Sequence, residues 1–251
     1  MLSLDTYLRE ISITKPIPPD SYLAKIPAIS YLSDGTPLVF SEKVTFFVGE
    51  NGMGKSTLIE AIAIAMKFNP EGGTMNFSFS TEASHSPLHK HLSVCKGKHH
   101  KDGFFLRAES FYNVATYIDE TDRTSVMGNP IINSYGGTSL HHQSHGESFM
   151  TLVEQRFSGH GLYILDEPEA ALSPARLLRL LSHMHRLEKE HSQFIISTHS
   201  PILLAYPGAC IYQLSESGIC RVDYKETPHY QITKAFLDCP ERTFAHLFKD
   251  N

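Results

Sequence analysis

The chain has 251 residues, 41% of them apolar, which is enough to bury the core of one large domain or two small ones. Its net charge of −5 gives no overall basic field that would attract nucleic acid, although a local basic patch stays open. No run of about 18 apolar residues occurs, which excludes a membrane-spanning helix. Asp5 and Arg9 argue against an N-terminal secretory signal, and four cysteines are too sparse for a disulfide framework. We therefore expect a cytoplasmic protein.

The N-terminal part predicts an antiparallel β lobe. Residues 26–32 and 36–40 flank the turn sequence 33–35, and Asp-Gly between β-rich runs is typical of a hairpin. We expect this lobe to cover residues 1–48 and to lead into the loop that follows.

Residues 49–57 read GENGMGKST and match the P-loop pattern G-x-x-x-x-G-K-[ST]. The β-rich run 44–48 and the helical pattern 56–68 supply the strand–loop–helix setting that a P-loop requires. We expect backbone N–H groups to surround the phosphates, Lys55 to reach the β- and γ-phosphates, and Ser56 to bind Mg²⁺. The predicted phosphate-binding residues are Gly49, Glu50, Asn51, Gly52, Met53, Gly54, Lys55, Ser56 and Thr57.

A polar stretch, residues 69–102, follows the P-loop helix. It holds five histidines, Cys95 and four lysines, but the spacing matches no standard zinc site and no second cysteine lies near. A surface insert is therefore favoured over a metal site. The lysines leave a phosphate-facing patch open, although a solvated loop is the simpler interpretation.

A second candidate anion site lies further along the chain. Ser144, His145, Gly146 and Glu147 precede an apolar-patterned helix that we predict over 149–157. Serine and glycine before a helix favour an anion-binding N-terminus, a pattern that is weakly specific by itself.

An acidic pair closes the next buried strand. The apolar run 162–165 ends in Asp166 and Glu167, which is the Walker B arrangement when a P-loop is also present. We expect Asp166 to hold the Mg²⁺ shell and Glu167 to polarise an attacking water as general base. Without the P-loop, the pair would more simply be a strand end that meets solvent.

A helix and a further strand lead from this pair to a candidate catalytic histidine. Ser173 as N-cap and Pro174 in the first turn predict a helix that ends near residue 191. The run 193–197 then predicts a buried strand, and His199 follows it at the carboxyl edge of a parallel sheet, where α/β folds bind ligands. A lone histidine is usually a surface or core residue, but this position distinguishes His199 from the others.

The remaining residues predict a hairpin and terminal helices. Strands over 211–214 and 219–224 flank a turn at 216–218, and we interpret Cys210 and Cys220 as core thiols. Residues 225–251 predict one or two helices, interrupted at Pro240.

In this order and spacing, the four elements resemble the ATP-binding cassette (ABC) ATPases. Residues 49–57 correspond to Walker A, 144–147 to the signature motif, 162–167 to Walker B and 169–173 to the D-loop, and His199 to the switch histidine. The resemblance implies one α/β domain over 1–251, with a mostly parallel core sheet flanked by helices, an N-terminal antiparallel β subdomain and a small helical signature subdomain. Its segments would be 1–48 (β lobe), 49–68 (Walker A and helix), 69–102 (insert), 103–160 (signature lobe), 161–224 (Walker B to hairpin) and 225–251 (C-terminal helices).

The resemblance also implies ATP and Mg²⁺ as cofactors and hydrolysis at a head-to-tail dimer interface. The signature Ser144 of one subunit would contact the γ-phosphate that the P-loop of the other holds. Adenine would stack on an aromatic side chain of the N-terminal lobe, for which Tyr22 and Tyr31 are candidates.

Several residues depart from the transporter subunits of that family. Gln143, His145 and Glu147 replace the leucine, first glycine and glutamine of LSGGQ. An acidic last position is typical of the soluble branch, which includes chromosome-maintenance, recombination and phage-defence ATPases. No clear Q-loop glutamine occurs, and Glu109 is the nearest candidate for that Mg²⁺-side contact. The chain is similar to small bacterial predicted ATPases that are grouped with AAA-labelled, abortive-infection-type domains.

Three functions stay open at this point. The leading one is a soluble ABC-type ATPase that drives a partner protein or a nucleic-acid process, such as DNA maintenance or phage defence. The second is the nucleotide-binding subunit of a membrane transporter, which the altered signature argues against. The third, a small-molecule kinase, leaves Glu167 and His199 without a role.

Overall fold

The computed structural model describes residues 6–74, 85–108, 111–124 and 130–248. Its strands are β1 (Leu8–Ile13), β2 (Leu38–Val39), β3 (Val44–Val48), β4 (Leu92–Lys96), β5 (Asp102–Arg107), β6 (Gly161–Asp166), β7 (Gln193–Ser197), β8 (Cys210–Ser215) and β9 (Gly218–Val222). Its helices are α1 (Pro27–Ser33), α2 (Lys55–Ala65), α3 (Phe111–Thr124), α4 (His145–Arg156), α5 (Pro174–Lys189), α6 (Pro201–Leu204), α7 (Pro228–Asp238) and α8 (Pro240–Leu247).

A six-stranded sheet forms the core, in the order β5-β6-β7-β3-β8-β9. All neighbouring strands are parallel except the β8–β9 hairpin, which is antiparallel as predicted. The register places Arg107 beside Asp166 and Asp166 beside Ser197. Because parallel strands end at the same edge, the polar residues that close these strands meet there. The predicted fold class, a mostly parallel sheet with an antiparallel β lobe, is confirmed.

Helices cover both faces of this sheet, and β3 supplies side chains to both. All five of its residues are buried, and successive side chains point to opposite faces. Phe46 packs in the cluster formed with α3, α4 and α5, whereas Phe47 packs in the cluster formed with α2 and the N-terminal lobe. The strand before the P-loop is therefore fixed from two sides.

The N-terminal lobe is a three-stranded antiparallel sheet in the order β2-β1-β4. The insert of residues 69–102 contributes β4, so this part of it is not a surface loop. The predicted hairpin over 26–40 is wrong, because residues 27–33 form α1 instead. Pro27 occupies the first helical turn, and Ala28, Ile29 and Leu32 are buried at helical spacing.

One buried amide joins the two sheets. The Gln193 Oε1 atom at the start of β7 accepts hydrogen bonds from the backbone N–H groups of Tyr7 (2.8 Å) and Leu8 (2.9 Å). Its Nε2 group donates to the Leu8 carbonyl at 2.9 Å. All polar atoms of this side chain are used, so it substitutes for a strand partner at the beginning of β1.

The C-terminal helices pack loosely on the rest of the molecule. The break at Pro240 is where predicted, but α7 and α8 contain no buried residue. Cys210 is buried as expected, whereas Cys220 is exposed, because β9 is the edge strand. No helix within the described ranges combines the length and apolarity needed to cross a membrane.

Candidate nucleotide-binding site

The P-loop connects β3 to α2 and depends on glycine at both ends. Gly49 has φ 153°, and a Cβ there would lie 2.3 Å from the Leu214 carbonyl oxygen. Gly54 is left-handed at φ 99°, and a Cβ there would lie 2.5 Å from the Ile26 side chain. Any larger residue would clash or be strained. The glycines that the motif requires are thus required by the packing of the loop itself.

Lys55 is folded into the loop. Its ammonium donates to the Gly49 carbonyl at 2.7 Å and to the Glu50 carbonyl at 3.2 Å, and the residue is only 4% exposed. Burial lowers the pKa of Lys55, and this effect exceeds the opposing one of the carboxylates Glu167 and Asp166. The Lys55 ammonium is therefore desolvated inside the loop, where its partners are backbone carbonyls. A phosphate that enters the loop would offset the cost of this desolvation.

Asp166, at the end of β6, is the centre of a polar network. The Ser197 and Ser56 hydroxyls donate to its carboxylate, and the Arg107 Nε atom lies 3.4 Å from its Oδ2 atom. Burial raises the pKa of Asp166, although these three neighbours act against the shift. Ser56 and Asp166 present adjacent oxygen donors, which are the ligands that Mg²⁺ prefers. The residues present therefore fit the predicted metal.

Arg107, at the end of β5, is a site residue to which the sequence assigned no role. Its Nη1 atom lies 2.7 Å from the Glu60 Oε2 atom on α2, so the guanidinium bridges Glu60 and Asp166. Glu60 also accepts the backbone N–H of Ser86 at 2.7 Å. The network therefore links the Walker B strand, the P-loop helix and the insert. Glu109, the predicted Q-loop equivalent, lies outside the described residues.

Glu167 and His199 face each other at the same sheet edge. Glu167 adopts the left-handed conformation, with φ 50° and ψ 54°, and its N–H donates to the Ser197 carbonyl at 3.1 Å. Its Oε1 atom lies 3.5 Å from the His199 Nε2 atom. A non-glycine residue in this region carries strain of about 1–3 kcal/mol and is typical of functional sites. The turn directs the carboxylate out of the sheet, where 38% of it is exposed.

His199 is held by two further contacts, one of them unforeseen. Its backbone N–H donates to the Oε1 atom of half-buried Glu169, in the segment predicted as the D-loop. Its Nδ1 atom lies 2.9 Å from the His229 Nε2 atom at the start of α7. No local motif around His229 reveals this contact, because it arises from the packing of the C-terminal helix against the sheet edge.

The candidate signature residues form the N-terminus of α4, which begins earlier than predicted. The Glu147 carboxylate accepts hydrogen bonds from the Ser144 backbone N–H (3.1 Å) and hydroxyl (2.6 Å), and these bonds lower the pKa of Glu147. Arg176 on α5 lies 3.4 Å from the same carboxylate. A Cβ on Gly146 would lie 2.7 Å from the Ala171 carbonyl oxygen. Among the described residues, no hydrogen bond or ion pair connects 144–147 to the P-loop of the same chain.

The adenine candidates lie in different surroundings. Tyr22 is 55% exposed, and its hydroxyl donates to Ser86 Oγ at 3.0 Å. Tyr31 packs against Gly218 in the β8–β9 turn. A cavity of about 360 Å³ lies beside the loop, lined by Gly49, Glu50, Met53, Gln213, Leu214, Ser215, Glu216, Pro228 and His229. Neither tyrosine lines it.

Comparison with known proteins gives two family matches. Residues 139–205 match the family described as "AAA domain, putative AbiEii toxin, Type IV TA system", and residues 28–119 match one described as "AAA domain". The first match spans the residues predicted as signature, Walker B and switch histidine. The second covers the P-loop.

The chain is also similar to two proteins that bind ATP according to their names and to one solved structure. The chain is 24% identical to an "Uncharacterized ABC transporter ATP-binding protein" of Haemophilus influenzae, over 82% of this chain and 83% of that protein. It is 26% identical to the nucleoside import ATP-binding protein NupA of Lactococcus lactis, over 61% of this chain but only 32% of that protein. The structure of cbiO1 from Clostridium perfringens, part of the ABC transporter complex cbiONQ, superposes with a TM-score of 0.51 at 15% identity, over 97% of this chain and 99% of that one.

The fold and the loop geometry define a P-loop nucleotide-binding domain. The order of its motifs and the relatives narrow this class further. The family matches and the relatives together support an ATP-binding domain similar to the ABC-type ATPases.

Proposed function

We propose that this chain binds ATP with Mg²⁺ in its P-loop and hydrolyses the γ-phosphate. The main observation behind this proposal is that Glu167 and His199 face each other, with Oε1 and Nε2 3.5 Å apart. Asp166 and Ser56 lie at the same edge of the sheet. Ser56 and Asp166 would hold Mg²⁺, which neutralises charge on the phosphate oxygens.

The chemical step uses groups of this chain. Glu167 accepts a proton from a water molecule while the oxygen of that water attacks the γ-phosphorus. The bond to the bridging oxygen breaks, and ADP leaves with the electron pair. Lys55 and the His199 N–H stabilise the charge on the transferred group. The partly exposed Glu167 carboxylate suits this role because water reaches it directly.

We further propose that the site is completed by a second copy of the chain, head to tail. Ser144 at the N-terminus of α4 provides an anion-binding helix end, and within the described part of the chain no hydrogen bond joins Ser144 to the P-loop of the same subunit. His145, Gly146 and Glu147 complete this trans surface. ATP would therefore join two subunits, and hydrolysis would release them.

This cycle of ATP-dependent dimerisation and release would drive a change in a partner protein or a nucleic acid. The acidic Glu147 of the signature supports this assignment over a transporter. A second candidate is the nucleotide-binding subunit of a membrane transporter, which the names of both relatives favour. Native purification separates the two: copurification with a membrane subunit would support the transporter, and copurification with a water-soluble protein or nucleic acid would support the first.

The dimer proposal is tested with Glu167→Gln, which keeps the side-chain size and removes the base. With ATP and Mg²⁺, light scattering should show this variant as a dimer, because it does not hydrolyse the ATP that joins the two subunits. With ADP, which lacks the γ-phosphate, it should be a monomer. Ser144→Arg in the same background should abolish the shift by blocking the helix end. A Glu167→Gln protein that binds ATP and stays monomeric would contradict the cassette mechanism and favour a kinase-like one.

A further inference from the structure

His229, in the first turn of α7, contacts His199 at the edge of the core sheet where the predicted catalytic residues lie. Its Nε2 atom lies 2.9 Å from His199 Nδ1, with the ring centroids 5.1 Å apart and the planes at 45°. That geometry is a ring-nitrogen hydrogen bond rather than a stacking contact. The residue also lines the cavity beside the P-loop.

The start of α7 is fixed, although the rest of the helix packs loosely. The N-cap Thr227 is fully buried, its hydroxyl donates to the Tyr224 carbonyl at 2.7 Å, and it accepts the Tyr230 N–H at 3.3 Å. Pro228 occupies the first helical position and restricts the backbone there. His229 is therefore presented to His199 from a rigid turn.

The hydrogen bond between the two rings restricts where their protons lie. If His229 donates, its proton is on Nε2, and neutral His199 carries its own proton on Nε2, which faces Glu167. If His199 donates instead, a neutral ring would turn a bare lone pair towards the Glu167 carboxylate. His229 would then carry its proton on Nδ1, a buried atom with no hydrogen-bond partner among the described residues. The Nδ1 atom of His229 lacks a partner in both arrangements, so the contact between His199 and Glu167 decides. A lone pair facing the Glu167 carboxylate is unfavourable, and the first arrangement is therefore preferred.

The charges around His229 are consistent with a neutral ring. Burial lowers the pKa of His229, and the neighbouring His199 and Lys55 lower it further, whereas Glu50 acts in the opposite direction. A neutral imidazole has one N–H to donate, which the bond to His199 uses.

We propose that His229 is a positioning residue that holds His199 in the Nε2–H tautomer, with that N–H on the side of Glu167, where it would donate to the γ-phosphate of bound ATP. This inference rests on the proposed ATP hydrolysis for its kinetic consequence, but its structural part concerns the nucleotide-free protein. His229 touches His199 and not the reacting atoms, so its effect is on orientation and tautomer. It also makes the C-terminal helices part of the catalytic unit.

The test compares two substitutions at this position with a control. His229→Leu preserves approximate size and removes the donor, whereas His229→Gln retains an N–H near the position of Nε2. His246→Leu makes the same chemical change on exposed α8. We expect His229→Leu to lower kcat about tenfold with KM nearly unchanged. His229→Gln should recover most of kcat, and His246→Leu should match wild type.

A second measurement is independent of turnover. Side-chain ¹⁵N NMR of the nucleotide-free protein, with His199 assigned by its loss in His199→Gln, reports which ring nitrogen carries the proton. We expect the Nε2–H form in wild type and in His229→Gln, and a mixed or Nδ1–H form in His229→Leu. An unchanged His199 tautomer together with normal kcat in His229→Leu would overturn the inference while leaving ATP hydrolysis standing. A wild-type protein that binds but never hydrolyses ATP would instead overturn the proposed function, and the NMR result would then decide the structural part alone. Equal loss of kcat in the Leu and Gln variants, with His199 unchanged, would also reject the tautomer role.

Discussion

Arg107 offers a quantitative test of the network behind the metal site. Its guanidinium is 20% exposed and lies against the carboxylates of Glu60 at 2.7 Å and Asp166 at 3.4 Å, which are 10% and 7% exposed. Arg107→Met keeps much of the volume but leaves both carboxylates buried without this cation. Loss of one partner from a buried pair costs about 3–5 kcal/mol, a large share of the roughly 5–15 kcal/mol that stabilises a typical domain.

The penalty should depend on pH in a defined direction. The pKa of Asp166 is already raised by burial, and Arg107 acts to lower it, so the substitution raises this pKa further. A carboxyl whose pKa is higher in the folded state destabilises the fold above that pKa and ceases to do so once protonated. The loss of stability should therefore be largest near about pH 8 and smaller near about pH 5.5.

The assay is urea unfolding of the nucleotide-free protein, followed by far-ultraviolet circular dichroism because the chain has no tryptophan. Arg179→Met is the matched control, since Arg179 pairs with Glu154 at 2.6 Å but is 63% exposed. Exposed pairs contribute about 0–1 kcal/mol. If Arg107→Met lost no more stability than this control at either pH, the network would not support the fold as described here.

Two further predictions concern nucleotide binding and dimer formation. Lys55→Ala should weaken ATP binding by about 10- to 100-fold in calorimetry, as expected for loss of charged hydrogen bonds worth about 1.5–3 kcal/mol, and wild-type affinity would refute the P-loop assignment. Glu147→Gln should strengthen ATP-dependent dimerisation severalfold in analytical ultracentrifugation, because it removes a negative charge from the helix end that receives the γ-phosphate and retains a hydrogen-bonding oxygen. Weaker dimerisation in Glu147→Gln would contradict the placement of this residue at the composite site.

The parts of the fold that are encoded locally were predictable. The P-loop strand, loop and helix form one contiguous pattern, and the acidic pair that follows 162–165 lies at the end of β6 as expected. Ser173 is the N-cap of α5, and Leu177, Leu180, Met184 and Leu187 form its buried face. In these segments propensity, periodicity and capping all indicate the same structure.

The errors come from segments whose structure depends on distant partners. In β4 only Leu92 and Val94 are half-buried and the other residues of the strand are exposed, because the strand pairs with β1 at the edge of a small sheet and buries little. The Asp34–Gly35 turn signal suggested a hairpin, whereas Pro27 and the spacing of buried residues place a helix before it. Arg107 and His229 act through contacts 47 and 30 residues away in the sequence, which no local pattern reveals.

The position of β3 in the sheet has a consequence for synthesis of the chain. This strand lies between β7 and β8, whose pairing partners begin at Phe194 and Cys210. The N-terminal strand β1 likewise depends on a distant residue, because the Leu8 N–H donates to Gln193, 185 residues later in the sequence. Contacts of such long separation form late, because the loop between them must be closed first. On the ribosome, the P-loop segment therefore emerges before the strands that pair with β3, which follow about 150 residues later. The P-loop is consequently one of the segments whose structure depends most on residues made much later.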